Sequence, residues 1–135
     1  MNLQGVILLG HGSRHPGLGR PFAGLQAWLQ ADLGPGFRVE DAYLSLCPPT
    51  LDRALEILYQ EGLRQVSVLP LFLVAGHHVS EELPQLLEAA GRRYPDLQLN
   101  LAPHLGALGD IVPLLRLRLD QAALRPACAP APSAA

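Results

Sequence analysis

The 135-residue sequence predicts a single doubly wound α/β domain: one four-stranded parallel sheet, in the order 2-1-3-4, with helices on both faces. Three observations predict it. Short apolar runs recur along the chain, each followed by a stretch with apolar residues at helical spacing, so strands and helices alternate. The connections between them are short and rich in glycine and proline, which suits βαβ crossovers. The third run is apolar almost throughout, as a central parallel strand covered on both faces must be.

Leu3 to Leu9 (LQGVILL) reads as the first strand, and Phe22, Leu25, Trp28, Leu29 and Leu33 then recur at helical spacing until Gly34-Pro35-Gly36 stops the helix. Trp28 is expected on its core face. A second strand lies around Arg38 to Leu46, and Pro48 and Pro49 suit the start of a helix with apolar positions Leu51, Ala54, Leu55 and Leu58, closed by Gly62. Tyr59 is expected on the same core face. The third strand is read as Gln65 to Val74, with Pro70 marking a bulge or an end because it deletes a ladder donor. Pro84 is placed near the start of the next helix, which runs to about Arg93. Strand four lies near Leu97 to Ala102, and the last helix runs from about Gly109 to Leu124. Leu114, Leu115, Leu117 and Leu119 spread over a wide arc of it, and burial in the chain's own core is their simplest explanation. The folded domain is read as residues 1–125, followed by a Pro/Ala-rich tail at residues 126–135.

Composition excludes several function classes. With 49% hydrophobic residues, mean hydropathy +0.19 and a formal charge of -2, the chain has a globular core and no reason to bind nucleic acid or an anionic membrane. Its longest apolar run, Val66 to Gly76, falls short of the about 20 residues that span a bilayer. MNLQGVILLG lacks a basic leader, and Cys47 and Cys128 have no metal-motif spacing, so a reducing cytoplasm is the expected compartment. All ten basic residues are arginine. A Schiff-base lysine and the lysine of a Walker-type phosphate loop are thereby excluded.

In this topology ligands bind beyond the carboxyl ends of strands one and three, where the chain reverses direction. His11 follows strand one, and His77 and His78 follow strand three. All five histidines, with His15 and His104, are read as lying in loops after strands on one rim of the sheet, none of them in a helix. Polar loops tolerate histidine, which is the plain alternative for each alone. Together they suggest a metal, proton transfer, or both, because imidazole ligates Co, Ni, Fe or Zn and accepts a proton near neutral pH.

"VILLGHGSR" at residues 6–14, "LPLFLVAGHHVSEELP" at 69–84 and "LAPHLG" at 101–106 together resemble the short form of the CbiX-type sirohydrochlorin chelatases. The resemblance implies a chelatase-like fold and an enzyme that inserts Co²⁺, or in relatives Fe²⁺ or Ni²⁺, into a tetrapyrrole of the cobalamin and sirohaem routes. The ion is then a substrate, and no permanently bound cofactor is implied. The family's metal-binding histidines fall on His11 and His78, the expected catalytic pair, and leave His77 at a variable position. One departure stands out. Where many relatives read like F-L-E-x-x-E-P-[ST]-L, this chain has "YLSLCPPTL", so Ser45 and Pro48 replace both acids. Glu81, Glu82 or an extra histidine substitutes, or no acid is needed.

Two imidazoles hold an ion weakly enough for release, whereas a closed four-ligand site traps it. A neutral histidine can also take a pyrrole proton. The many carboxylates of such a tetrapyrrole call for guanidinium forks, for which Arg14 and Arg20 are candidates beside the alternative of ordinary solvated arginines. Gly10, Gly12 and Ser13 either bring backbone donors to a ligand carboxylate at the first helix's N-terminus or simply make a tight turn. His77, His15, Glu82 and His104 are possible auxiliaries, and Cys47 reads as a small buried thiol. Larger chelatases of this fold resemble two such units facing each other, so the resemblance implies a homodimer. Two other readings stay open. "RHPG" at residues 14–17 has a distant likeness to histidine phosphatases, and a non-catalytic metal or tetrapyrrole carrier would use the same residues.

Overall fold

The computed structural model describes residues 3–12 and 20–123; the side chain of His78 lies outside the described part, as do Ser13, Arg14, His15 and the tail from residue 126. Strands and helices alternate in the order β1 (Gln4–Gly10), α1 (Ala23–Leu33), β2 (Phe37–Tyr43), α2 (Leu51–Gln60), β3 (Gln65–Pro70), α3 (His77–Arg93), β4 (Gln98–Leu101) and α4 (Val112–Ala123). All pairings are parallel and the strand order is β2-β1-β3-β4, as the sequence predicts. Among the described residues no helix is long and apolar enough to cross a membrane.

Side chains of β1 alternate between two packed layers. Ile7 and Leu9 point to the layer built from Val66, Val68, Leu97 and the helices α2 and α3. There the expected stripe Leu51, Ala54, Leu55 and Leu58 is buried, joined by Leu83, Leu87 and Ala90 of α3. Each such aliphatic side chain, fully buried, contributes about 1.5–3 kcal/mol. Val6 and Leu8, with Val39 of β2, point to the other layer, under Phe22, Leu29 and Leu33. The Thr50 hydroxyl caps α2 by accepting from Arg53 N–H at 3.2 Å.

Several expected boundaries shift. Trp28 is not a core residue: it is 62% exposed, and no residue of α1 is buried. Besides the half-buried Leu29 and Leu33, the helix is held by polar bonds to the outer edge of β2. Gln26 Nε2 donates to the Val39 carbonyl at 2.7 Å, Gln30 Nε2 donates to the Phe37 carbonyl at 2.8 Å, and Gln30 Oε1 accepts from Val39 N–H at 2.8 Å. These two glutamines satisfy an edge strand that would otherwise present unpaired backbone groups. β3 ends at Pro70, short of the expected Val74, and Leu73 and Val74 stand 62% and 82% exposed. Pro84 lies well inside α3 and not near its start, on an exposed part of the helix surface. Tyr59 is partly buried as expected, its ring 4.4 Å from that of Tyr94 and its hydroxyl donating to Asp96.

α4 departs furthest from expectation. None of its residues is buried, and Val112, Leu115 and Leu119 are 58%, 57% and 70% exposed. The sheet gives the reason. On the face that α1 covers, β3 and β4 present Gln65, Ser67, Gln98 and Asn100, with Gln65 bonded to Gln98 at 3.3 Å. This polar strip is no seat for a leucine-rich helix.

Asp41 is the one fully buried charged residue among those described. Burial alone would push its carboxyl up, but bonds from the Arg20 guanidinium and the Tyr43 hydroxyl hold it below the usual carboxylate range. Arg20 Nε donates to Oδ2 at 3.0 Å and its Nη2 donates to Oδ1. The Tyr43 hydroxyl donates to Oδ2 at 2.7 Å while accepting from Phe22 N–H at 2.9 Å, and burial first, then Asp41, pushes that phenol up. A carboxyl whose folded pKa is depressed stabilises fully above its unfolded value near pH 4 and loses that contribution as pH falls through the lower folded value. Asp41→Asn is therefore expected to lower stability by about 1–3 kcal/mol at pH 7. Thermal unfolding from pH 7 down to pH 2 should show the gap between wild type and variant closing only below about pH 4. A gap that stays constant to pH 2 would contradict the assignment.

Candidate functional site

The rim at the carboxyl ends of β1 and β3 continues the sheet by irregular pairing. Past β1, Leu44 N–H donates to the Gly10 carbonyl at 2.9 Å and Ser45 N–H to the His11 carbonyl at 3.1 Å; on the other side Leu71 N–H donates to the Leu9 carbonyl at 2.9 Å. His11 thus leaves β1 with its backbone fixed by the loop after β2. Gly12 follows at φ 102°, where a Cβ would sit 1.9 Å from the Ser45 carbonyl oxygen and 3.3 Å from Cys47 Sγ. No side chain fits there.

The His11 imidazole is exposed, and its ring centre lies 4.4 Å from that of Phe72 with the planes inclined by 34°. Phe72 itself is 5% exposed. The loop after β4 closes on the same place. Leu105 N–H donates to the Pro70 carbonyl at 3.0 Å and Gly106 N–H to the Phe72 carbonyl at 3.1 Å, while a Cβ on Gly106 would sit 1.9 Å from the Leu73 carbonyl oxygen. His104, half-buried, shares with Phe72, Ser80 and Leu83 the lining of a cavity of about 200 Å³. So His11, His104 and the start of α3 meet around Phe72.

His77 and His78 are not in a loop, contrary to expectation. They open α3 behind Gly76, whose backbone is extended at φ −63°, ψ 157°, because the chain turns into a helix as soon as it clears the exposed Leu73–Val74 stretch. His77 is 88% exposed and pairs with Glu81 one turn on, at 3.0 Å, so its Nε2 faces along the helix surface. Glu82 is half-buried on that helix. Arg20, a candidate for carboxylate recognition, spends its fork on Asp41. Among the described residues the first helix, α1, starts at Ala23; Gly10 ends β1 under the Phe22 ring, and the close approach at Gly12 fits the tight-turn alternative. Cys47 is half-buried beside Gly12. Among the described residues no three His, Cys, Asp or Glu side chains gather closely enough to hold a metal.

Sequence reasoning misses Phe72, which is indistinguishable from its apolar neighbours in LPLFLVAG, and the Arg20–Asp41 pair, whose members are 21 residues apart with no periodicity to join them. The model of the CbiX family matches residues 5–122. The chain belongs to the CbiX family. Among its relatives, the sirohydrochlorin cobaltochelatase of Methanopyrus kandleri is 30% identical over 82 residues, 61% of this chain and 57% of that protein. The sirohydrochlorin ferrochelatase of Bacillus subtilis is 24% identical over 109 residues, 81% of this chain and 41% of that protein. The CbiX chain thus spans less than two-thirds of the length of these relatives. Among solved structures, the CbiX protein of Marinobacter aquaeolei VT8 superposes with a TM-score of 0.78 at 25% identity, covering 91% of this chain and 99% of that one. The sirohydrochlorin chelatase SirB of Bacillus subtilis subspecies spizizenii, in complex with cobalt, shares the fold with a TM-score of 0.74 at 24% identity, covering 88% of this chain and 50% of that one.

Gly12→Ala is expected to cost about 1–3 kcal/mol, because the new methyl meets a backbone oxygen in a region of φ that alanine avoids. Gly24→Ala is the control: nothing lies within 4 Å of its Cβ position on α1, so it should leave stability equal or raise it by about 0.4–1 kcal/mol. The urea midpoint of Gly12→Ala should fall while that of Gly24→Ala stays or rises, and a Gly12→Ala midpoint equal to wild type would show that the turn relaxes freely.

Proposed function

We propose that this CbiX protein is a sirohydrochlorin chelatase that inserts a divalent ion, Co²⁺ in the first place and Fe²⁺ or Ni²⁺ as alternatives, with His11 and His78 as the residues that hold it. The observation that carries the reading is the position of His11 and of the first turn of α3 at the adjacent ends of β1 and β3, in a chain matched by the family from residue 5 to 122. Insertion requires stripping water from the ion, bending the ring, removing the pyrrole N–H protons and releasing the product. Two imidazoles on an open rim suit this, since the ion must pass through and not stay. A neutral imidazole at the same rim can accept a pyrrole proton. The presence of both a cobaltochelatase and a ferrochelatase among the relatives supports the reaction and leaves the ion to be chosen by assay. Arg14 is the remaining candidate for binding a substrate carboxylate, and His104 and His77 are auxiliaries.

We infer further that two copies form the working unit, in the cytoplasm, with residues 126–135 outside the folded domain. The bare apolar side of α4 supports the dimer, as does the match to half of the SirB chain. A second copy would both cover those leucines and supply the opposite wall that bending a macrocycle requires.

His11→Ala and His78→Ala should each lower insertion of Co²⁺ into sirohydrochlorin by at least about 100-fold with the far-UV spectrum unchanged, while His77→Ala loses less. Near-normal turnover in either of the first two would refute the pair, and tight binding of both substrates without turnover by the wild type would identify a carrier. Light scattering should give about twice the 14.5 kDa chain mass, falling to one chain in Leu115→Arg. A wild-type monomer with full activity would remove the dimer from the mechanism.

A further inference from the structure

We propose that Phe72 is a positioning residue for metal insertion, holding the plane of the His11 imidazole so that its nitrogens stay available at the rim. This rests on the reading of His11 as a residue that holds the ion.

His11 is the first residue after β1, exposed, on a side chain with two rotatable bonds. Left alone, such an imidazole samples several rotamers, and each binding event must first order it. Phe72 limits that freedom by packing against the ring with centres 4.4 Å apart and planes tilted by 34°, within contact distance for an aromatic pair. The chemistry of this contact differs from that of the usual hydrogen-bonded histidine. A carboxylate or carbonyl partner would occupy one ring nitrogen, whereas stacking uses the π face and leaves the in-plane nitrogens for an ion or a proton.

Phe72 can do this because it is buried and the backbone on either side of it is bonded. It is 5% exposed, although its neighbours Leu73 and Val74 point to solvent. The preceding residue is bonded to Leu9, its own carbonyl accepts from Gly106, and Gly106 is packed so tightly on Leu73 that no side chain could replace its hydrogen. β1 and the loop after β4 therefore fix the backbone that carries the ring, which on one side meets His11 and also lines the cavity shared with His104. Phe72 carries no ligating or titrating atom, so it reaches the reaction only through His11.

The test compares Phe72→Leu, which keeps the apolar character and removes the ring, with Phe72→Tyr, which keeps the ring. In metal-free full-length protein, the His11 Hδ2 and Hε1 signals should move toward their random-coil positions in Phe72→Leu and stay in place in Phe72→Tyr. The Kd for Co²⁺ alone, measured by titration calorimetry well below the unfolding temperature, should rise by about three- to tenfold in the first variant and be restored in the second. The KM for sirohydrochlorin should be unchanged in both, which a general loosening of the rim would not allow. Unmoved His11 signals, or a Kd for Co²⁺ equal to wild type in Phe72→Leu, overturns the positioning role while the chelatase reading stands. A wild-type chain that inserts no metal overturns the chelatase reading itself and this inference with it. Should Phe72→Leu fail to fold, Phe72→Met takes its place under the same outcomes.

Discussion

The rim depends on how completely β1 is held. It pairs along its whole length with β2 and along Gly5 to Leu9 with β3, and six of its seven residues are buried. Both edges are bonded and both faces are covered, so a slip of one residue would turn Ile7 and Leu9 out of one layer and Val6 and Leu8 out of the other. Losing those contacts would cost several times the about 1.5–3 kcal/mol of a single buried aliphatic residue. The position of His11 follows from this, because it is the next residue along. The backbone bonds from Ser45 and to Leu9 carry that rigidity a little beyond the strand.

What was legible in the sequence is what periodicity encodes. The strand order and the α2 stripe followed from alternation and helical spacing, and both are present. Hydropathy alone could not say where β3 ends, because Leu73 and Val74 look like core residues and are exposed only because the sheet has run out of partner strand. The same limit placed His77 and His78 in a loop. Trp28 was misjudged for a different reason: α1 has the spacing of a buried helix, yet Gln26 and Gln30 anchor it through the edge of β2, a role that a hydrophobic pattern does not show. The leucines of α4 carry the spacing of a core helix, yet none of its residues is buried, and helical spacing alone does not show which partner a helix has.

At the rim, two residues have tasks in the structure that differ from those the sequence suggests. Replacement of an acid by Ser45 looked like the loss of a ligand. In the structure the backbone of residue 45 has its own task, donating its N–H to the His11 carbonyl and pressing its oxygen against Gly12, and any side chain there can meet that demand. Arg20 looked available to a substrate carboxylate; instead Asp41, wholly buried, takes its fork, since an unpaired charge at that depth would be far costlier than a solvated arginine at the surface. Long-range pairs of this kind leave no trace in spacing.

The openness of the rim and the bareness of α4 have a common geometry. The chain enters α4 from the loop that carries His104, through Leu105 and Leu108, which are 48% and 68% exposed, so the uncovered apolar surface begins at the border of the site and continues down the helix. In the proposed dimer, a copy seated on that surface would meet the rim at the same time. On the proposed chelatase reading, a single sheet would offer the ion one wall and a few imidazoles, too few ligands to trap it and too little surface to bend a macrocycle. In the proposed dimer the contact that hides the leucines and the contact that closes the cleft would be one interface, and weak ligation by each chain would be an advantage, because the ion must be released to the ring.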